Sequence, residues 1–98
     1  KLNLEKNRTM KQNPHLSPKR KKQLVDQKKL VLINDDFNSF NHVIDCLVAI
    51  CEHDPIQAEQ CATITHFNGS CIIKTGKFND LLSYKNDLNQ YDLDVEIV

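Results

Sequence analysis

Two carboxylates and an amide stand side by side at Asn34-Asp35-Asp36, directly after the aliphatic run Leu30-Val31-Leu32-Ile33. A β-branched and aliphatic run that stops on three small polar residues reads as a strand whose end carries a compact set of hydrogen-bond acceptors. Downstream, His66 adds a ring nitrogen that accepts when neutral. Such a set suits a cationic amine or a metal ion, not an anion. Metal binding is disfavoured, because no further Asp or Glu stands at calcium-loop spacing and adjacent carboxylates diverge unless the backbone bends. Hydrolytic catalysis needs a nucleophile beside a base. Ser39, Ser70, Ser83 and the four cysteines belong to no recognisable motif such as Gly-x-Ser-x-Gly. With two glycines in the chain, a phosphate-cradling Gly-rich loop is excluded. The expectation is a non-enzymatic protein without cofactor or metal. Two readings of the triplet stay open: an amine clamp, or a solvated turn held by Asx-type hydrogen bonds with His66 as a helix-end or surface residue.

The elements that must position these residues follow from periodicity. Residues 29–33 predict a strand. Asn38 or Ser39 is a suitable helix cap. Phe40, Val43, Ile44, Leu47, Val48 and Cys51 then recur at helical spacing, an amphipathic helix of three turns. Asp54-Pro55 opens the next helix, with Gln57 at capping-box spacing. Ile56, Gln60, Cys61, Ile64 and Phe67 carry it to Asn68-Gly69, a stop signal. Residues 70–75 predict a second strand. Phe78, Leu81, Leu82, Lys85 and Leu88 pattern a third helix ending near Tyr91. Leu93-Asp94-Val95-Glu96-Ile97 alternates with period 2, a strand with one wet face. The order is β-α-α-β-α-β, an α+β domain with a three-stranded antiparallel sheet packed on three helices.

The zero net charge conceals a split. Residues 1–30 hold ten Lys or Arg against Glu5 and Asp26, and residues 31–98 hold three Lys against eleven Asp or Glu. Residues 1–28, rich in Lys, Asn and Gln, predict a disordered basic extension, because they cannot bury enough apolar surface to offset ordering entropy. Residues 29–98 are the domain. The Lys19-Arg20-Lys21-Lys22 cluster has no interleaved aromatic for base stacking, so nucleic acid is not the expected partner. Cys46, Cys51, Cys61 and Cys71 form no Cys-x-x-Cys and pair with no finger-spaced histidines, which argues against zinc. Cys46, Cys61 and Cys71 fall at apolar positions and read as buried, reduced thiols of a cytoplasmic protein. No apolar run reaches the ~20 residues of a membrane span.

The run Val31-Leu32-Ile33-Asn34-Asp35-Asp36-Phe37, then Val43-Ile44-Asp45, then Ala58 and Thr65-His66-Phe67-Asn68-Gly69, resembles the ClpS family over roughly residues 29–98. That family consists of adaptors that capture N-terminal degradation signals for a Clp ATPase. The resemblance implies that Asn34, Asp35 and His66 hold the α-ammonium group of a substrate's first residue and that Asp36 and Asn38 meet its backbone. It further implies an apolar pocket of Ile33, Phe40, Val43, Ala62, Thr65 and Leu93 for the first side chain. The partners implied are proteins with destabilising first residues and a ClpA- or ClpC-type AAA+ unfoldase. Relatives usually carry Met at 40 and 62 and Val at 65, so the pocket here is re-cut. Asn79 and Tyr84 stand where relatives have an acidic and basic docking pair, and the final loop is shorter. The rival class is a non-adaptor interaction module of similar fold, such as the ribosomal stalk protein's C-terminal domain.

Overall fold

Strand β1, Lys28–Ile33, is built on alternation: Leu30 and Leu32 are buried, while Lys29 is exposed and Val31 and Ile33 are half-buried. The computed structural model describes residues 27–98. The expected extension, residues 1–28, lies outside them apart from Gln27 and Lys28, and Lys28 already belongs to β1. Ser39 caps helix α1, Phe40–Cys51, its hydroxyl accepting from the His42 N–H at 3.1 Å. Asp54 caps helix α2, Pro55–Asn68, accepting from the Gln57 N–H at 2.9 Å, with Pro55 in the first turn, where its missing N–H costs nothing. Strand β2, Ser70–Gly76, helix α3, Phe78–Gln90, and strand β3, Asp94–Ile97, complete the chain.

The sheet is antiparallel in the order β2-β1-β3, with β1 in the centre. The helices cover the face that carries Leu30, Leu32, Ile73 and Val95. These join Leu47, Leu81, Leu88 and Leu93 in one core. Leu30, Leu47 and Leu88 are fully buried, so truncating any of them to Ala costs about 2–5 kcal/mol. The other face alternates as expected, with Asp94 and Glu96 in solvent. A bulge falls between Leu30 and Val31, leaving Ile73 without a Cα partner on β1. The His53 ring hydrogen-bonds at that residue. Its Nε2 donates to the Ile73 carbonyl at 2.8 Å, and the buried Nδ1 has no partner.

Helix α2 departs from the expected pattern. Ile56, Ile64 and Phe67 are exposed, and its buried stripe is Ala58, Cys61, Ala62 and Thr65. That stripe keeps i, i+3, i+4, i+7 spacing. Small residues on it let α2 lie close to α1 and β2, and the larger apolar side chains are left outside. Cys71 is half-buried, not buried as expected, while Cys51 is fully buried. Among the described residues no helix is long and apolar enough to cross a membrane.

Gly69 terminates α2 in the left-handed region, φ 96°, with its N–H donating to the Thr65 carbonyl at 2.9 Å. A Cβ there would meet nothing within 4 Å. The cost of Gly69→Ala is therefore backbone strain alone, about 1–2 kcal/mol. Thermal denaturation should show a Tm lower by about 4–15 °C, with Gly69→Asn falling less than Gly69→Ala.

Candidate functional site

The strand register decides which residues meet. Ile33, the last residue of β1, pairs with Ser70, the first of β2. One residue further out on each side, the Asn34 N–H donates to the Gly69 carbonyl at 2.9 Å. His66 lies one helical turn before Gly69, so this pairing sets it beside the loop that begins at Asn34. Sequence positions more than thirty residues apart are thereby joined by two adjacent backbone contacts.

The loop from Asn34 to Ser39 is folded around Asp35. Its Oδ1 accepts from the Phe37 and Asn38 N–H groups, both at 2.8 Å. Its Oδ2 accepts from Asn38 Nδ2 at 2.8 Å. The same Asn38 amide donates to the Asp92 carbonyl, also at 2.8 Å. Beside it, His42 Nε2 donates to the Tyr91 carbonyl at 2.9 Å, a carbonyl being an acceptor only. The Asx-type turn expected as one reading of the triplet is thus present, and the Tyr91-Asp92 turn buttresses it from the far end of the domain. Asp92 itself takes a left-handed conformation, φ 68°.

Partial burial acts to raise the Asp35 carboxyl. The hydrogen bonds from Asn38 and Phe37, with the nearby His42, outweigh it and hold the group below its ordinary 3.8. Asp35 is therefore ionised at neutral pH. The turn uses both lone pairs of Oδ1 and one of Oδ2, which leaves a lone pair and the full charge for another partner. Asn38 is more constrained: both amide hydrogens are committed, and only its side-chain oxygen remains. Among the described residues, no hydrogen bond engages the side chains of Asn34, Asp36 or His66.

A cavity of about 420 Å³ opens between this loop, α1 and α2. Leu32 and Ile33 line it from β1, and Asn34, Asp35, Asp36 and Asn38 from the loop. Phe40 and Val43 line it from α1, and Ala62, Thr65 and His66 from α2. Asp35 and Asp36 both reach it because the backbone bends over residues 36–38. Of the eleven residues singled out from sequence for the amine, backbone and side-chain contacts, the structure gathers ten around this one space. Leu93 is the correction. It is 3 % exposed and belongs to the core cluster, because the chain turns tightly at Tyr91-Asp92 and re-enters the fold there. Leu32 lines the cavity as well as the core. The Thr65 hydroxyl donates to the Cys61 carbonyl at 2.8 Å, so within the cavity it offers lone pairs and a methyl group but no donor.

The rest of the molecule offers little competing chemistry. Among the described residues no three His, Cys, Asp or Glu side chains gather as a metal site. Burial pushes the Cys51 thiol up to about 11, and burial, with Cys71 alongside, pushes Cys61 to about 12. Burial and then Asp45 raise Cys46. These are neutral thiols at physiological pH, poor nucleophiles and poor metal ligands.

The profile of the family described as "ATP-dependent Clp protease adaptor protein ClpS" matches residues 24–96. A structure of Agrobacterium tumefaciens ClpS2 bound to L-phenylalaninamide superposes with a TM-score of 0.69 at 16% identity, covering 74% of this chain and 95% of that one. No curated protein sequence matches the chain.

Replacing Asn38 by Ala removes the bonds to Asp35 and to Asp92 together. The expected cost is about 1–3 kcal/mol, with the Asp35 carboxyl moving up toward 3.8 in an NMR titration. The pH dependence follows from the direction of the shift. A carboxyl depressed in the folded state stabilises above its unfolded value and loses that contribution as pH falls through the folded value. Urea unfolding should therefore separate wild type from Asn38→Ala most at pH 5–7 and least below pH 3. A gap that stays constant with pH would show that Asn38 acts without Asp35.

Proposed function

The chain belongs to the ClpS family of ATP-dependent Clp protease adaptors, and on that premise we propose that it binds proteins by a free α-amine and a bulky apolar first residue. It then hands them to a ClpA- or ClpC-type AAA+ unfoldase. The observation that carries the reading is one cavity bordered both by acceptors and by apolar side chains. The ammonium of a chain terminus has three donors and no acceptor. Asn34, the remaining lone pair of Asp35 and a neutral His66 supply three acceptors, and the Asp35 charge adds a Coulombic attraction that partial burial strengthens. Asp36 and the free oxygen of Asn38, which border the same cavity, accept in this reading from the N–H groups that follow. The first side chain enters between Ile33, Val43 and Ala62.

Two further points support it. The similar ClpS2 structure holds L-phenylalaninamide, a free amine joined to an aromatic side chain. A stalk-like interaction module, the rival class, does not require Asn34, Asp35 and His66 to border one space, and here they do. The neutral thiols favour a binding protein over a thiol enzyme, and fit a reducing compartment such as the cytoplasm.

The decisive experiment compares a Phe-headed peptide with its N-acetylated form by fluorescence anisotropy. Acetylation removes the charge and leaves acceptors unpaired, so binding should weaken by about 2–5 kcal/mol. Equal affinities would reject the amine clamp. His66→Ala should weaken the free-amine peptide and leave the Tm within a few degrees, since the His66 side chain is exposed.

Residues 1–26, with the Lys19–Lys22 cluster, belong to delivery in this proposal. A chain beginning at residue 27 should keep its peptide affinity and Tm, while degradation of a Phe-headed substrate by the ClpA- or ClpC-containing protease stops. Degradation at the full rate would assign delivery to the domain alone.

A further inference from the structure

His42, Tyr91 and Asp92 do not line the cavity, yet they are bonded to the loop that does and to the start of α1. The His42 backbone N–H donates to the Ser39 hydroxyl at 3.1 Å and completes the helix cap, so the cap makes no use of the ring. The half-buried ring instead donates from Nε2 to the Tyr91 carbonyl at 2.9 Å, with the buried Cys46 sulfur 3.7 Å from the same nitrogen. The next carbonyl along, that of Asp92, accepts from the Asn38 amide at 2.8 Å. Two successive carbonyls of one turn are thus taken by two side chains four residues apart. The turn is anchored from its other side as well. The Tyr91 and Asp92 N–H groups donate to the Leu88 and Asn89 carbonyls, both at 3.0 Å, and Leu93 is buried in the core. Asp92 holds a left-handed backbone, φ 68°, a conformation that persists in a residue other than glycine only where its surroundings fix it.

These contacts form one path to the acceptor set. The Asn38 amide is planar, and its two hydrogens go to the Asp92 carbonyl and to Asp35 Oδ2, each at 2.8 Å. Displacing one of these acceptors turns the amide away from the other. The Tyr91 and Asp92 carbonyls belong to consecutive planar peptides joined by two torsions, so holding the first restricts the second. We propose that His42 is a positioning residue for the α-amine site: its ring pins the Tyr91 carbonyl, which keeps the Asp92 carbonyl where the Asn38 amide can hold the Asp35 carboxylate at the cavity. The inference rests on the end-recognition reading above and adds to it a residue that lies outside the cavity lining. The electrostatics point the same way. Burial acts to raise the Asp35 carboxyl, the bonds from Asn38 and Phe37 lower it, and His42 adds to that lowering.

The test uses the full chain and a Phe-headed peptide with a free amine. Fluorescence anisotropy should show His42→Ala binding about fivefold more weakly, the worth of one hydrogen bond. In that variant the Asp35 carboxyl should titrate closer to its ordinary 3.8 by NMR. His42→Gln, whose amide can still donate to the Tyr91 carbonyl, should bring the affinity back to within about twofold of wild type and return the Asp35 titration toward its wild-type position. The path is tested by combining substitutions. In an Asn38→Ala chain, where the link to Asp92 is already cut, His42→Ala should weaken binding by less than about twofold more, since residues of one network do not add. The proposal is overturned by an unchanged affinity in His42→Ala, by a His42→Gln chain as weak as His42→Ala, or by losses that multiply in the double variant. Lost affinity with the Asp35 titration unmoved rejects it too, as does a lowered Tm with affinity intact, which gives His42 a role in the fold alone. Wild type that ignores the peptide, or binds its N-acetylated form equally, rejects the end-recognition reading and the positioning role with it. The Asp35 titrations need no ligand, so they still decide whether His42 acts on Asp35.

Discussion

The Asn34 N–H bond to the Gly69 carbonyl is the contact on which the site depends. It extends the β1–β2 ladder by one step past Ile33–Ser70, and that step lands on the C-terminal cap of α2. The end of a strand and the end of a helix are thereby held side by side. Everything that borders the cavity is placed from there: the loop by where β1 stops, His66 and Thr65 by where α2 stops. A register slip of one residue would turn Leu30 and Leu32 to solvent, so the core enforces the same alignment that the site needs. Stability and site geometry are set by one pairing, and the site inherits the rigidity of the sheet centre.

The second constraint is Asp35. As an acceptor for Phe37, Asn38 and the Asn38 amide, it builds the loop. As an ionised carboxylate with a lone pair to spare, it also gives the cavity its charge. A surface turn residue serving only the fold would have no reason to border a cavity. A ligand residue free of internal bonds would have to lose rotamer entropy on binding. Asp35 has already lost that freedom in folding, and the hydrogen bonds that cost it also hold the carboxyl ionised. The two readings of the triplet are therefore not exclusive: the Asx turn is how the acceptor set is held in place before anything binds.

The elements and their order were legible from residues 29–98 because caps and periodicity agree locally. Ser39, Asp54-Pro55 and Asn68-Gly69 mark helix ends where the structure has them. What the pattern could not reveal is depth. Ile56, Ile64 and Phe67 keep helical spacing yet face outward, because spacing identifies a stripe and not which stripe packs. The choice of the Ala58-Cys61-Ala62-Thr65 face comes from how near α2 must lie to α1 and β2, a tertiary distance with no local signal. Leu93 was misplaced for a related reason. Its position before β3 is readable, but the tight Tyr91-Asp92 turn that drives it into the core depends on Asn38 and His42, from more than fifty and about fifty residues away. The ten named residues that line the cavity were singled out through resemblance joined to chemistry. Spacing alone left the triplet divided between turn and clamp.

Phe40, Ala62 and Thr65 belong to a different part of the cavity from the acceptors. They sit on the facing walls of α1 and α2, whereas the acceptors sit on the loop and at the last turn of α2. Neither set hydrogen-bonds to the other in this structure: Thr65 spends its proton on Cys61, within its own helix, and Asp35 and Asn38 bond within the loop and to the Asp92 turn. The walls can therefore change size without disturbing the acceptor atoms of the loop. A methylene in an apolar cavity shifts preference by about 1–3 kcal/mol, and under the proposed function that freedom would let the choice of first side chain drift while the requirement for a free terminus stayed fixed. The opposite trade is closed. Moving the acceptors means moving the Asn34–Gly69 pairing, and with it the centre of the sheet.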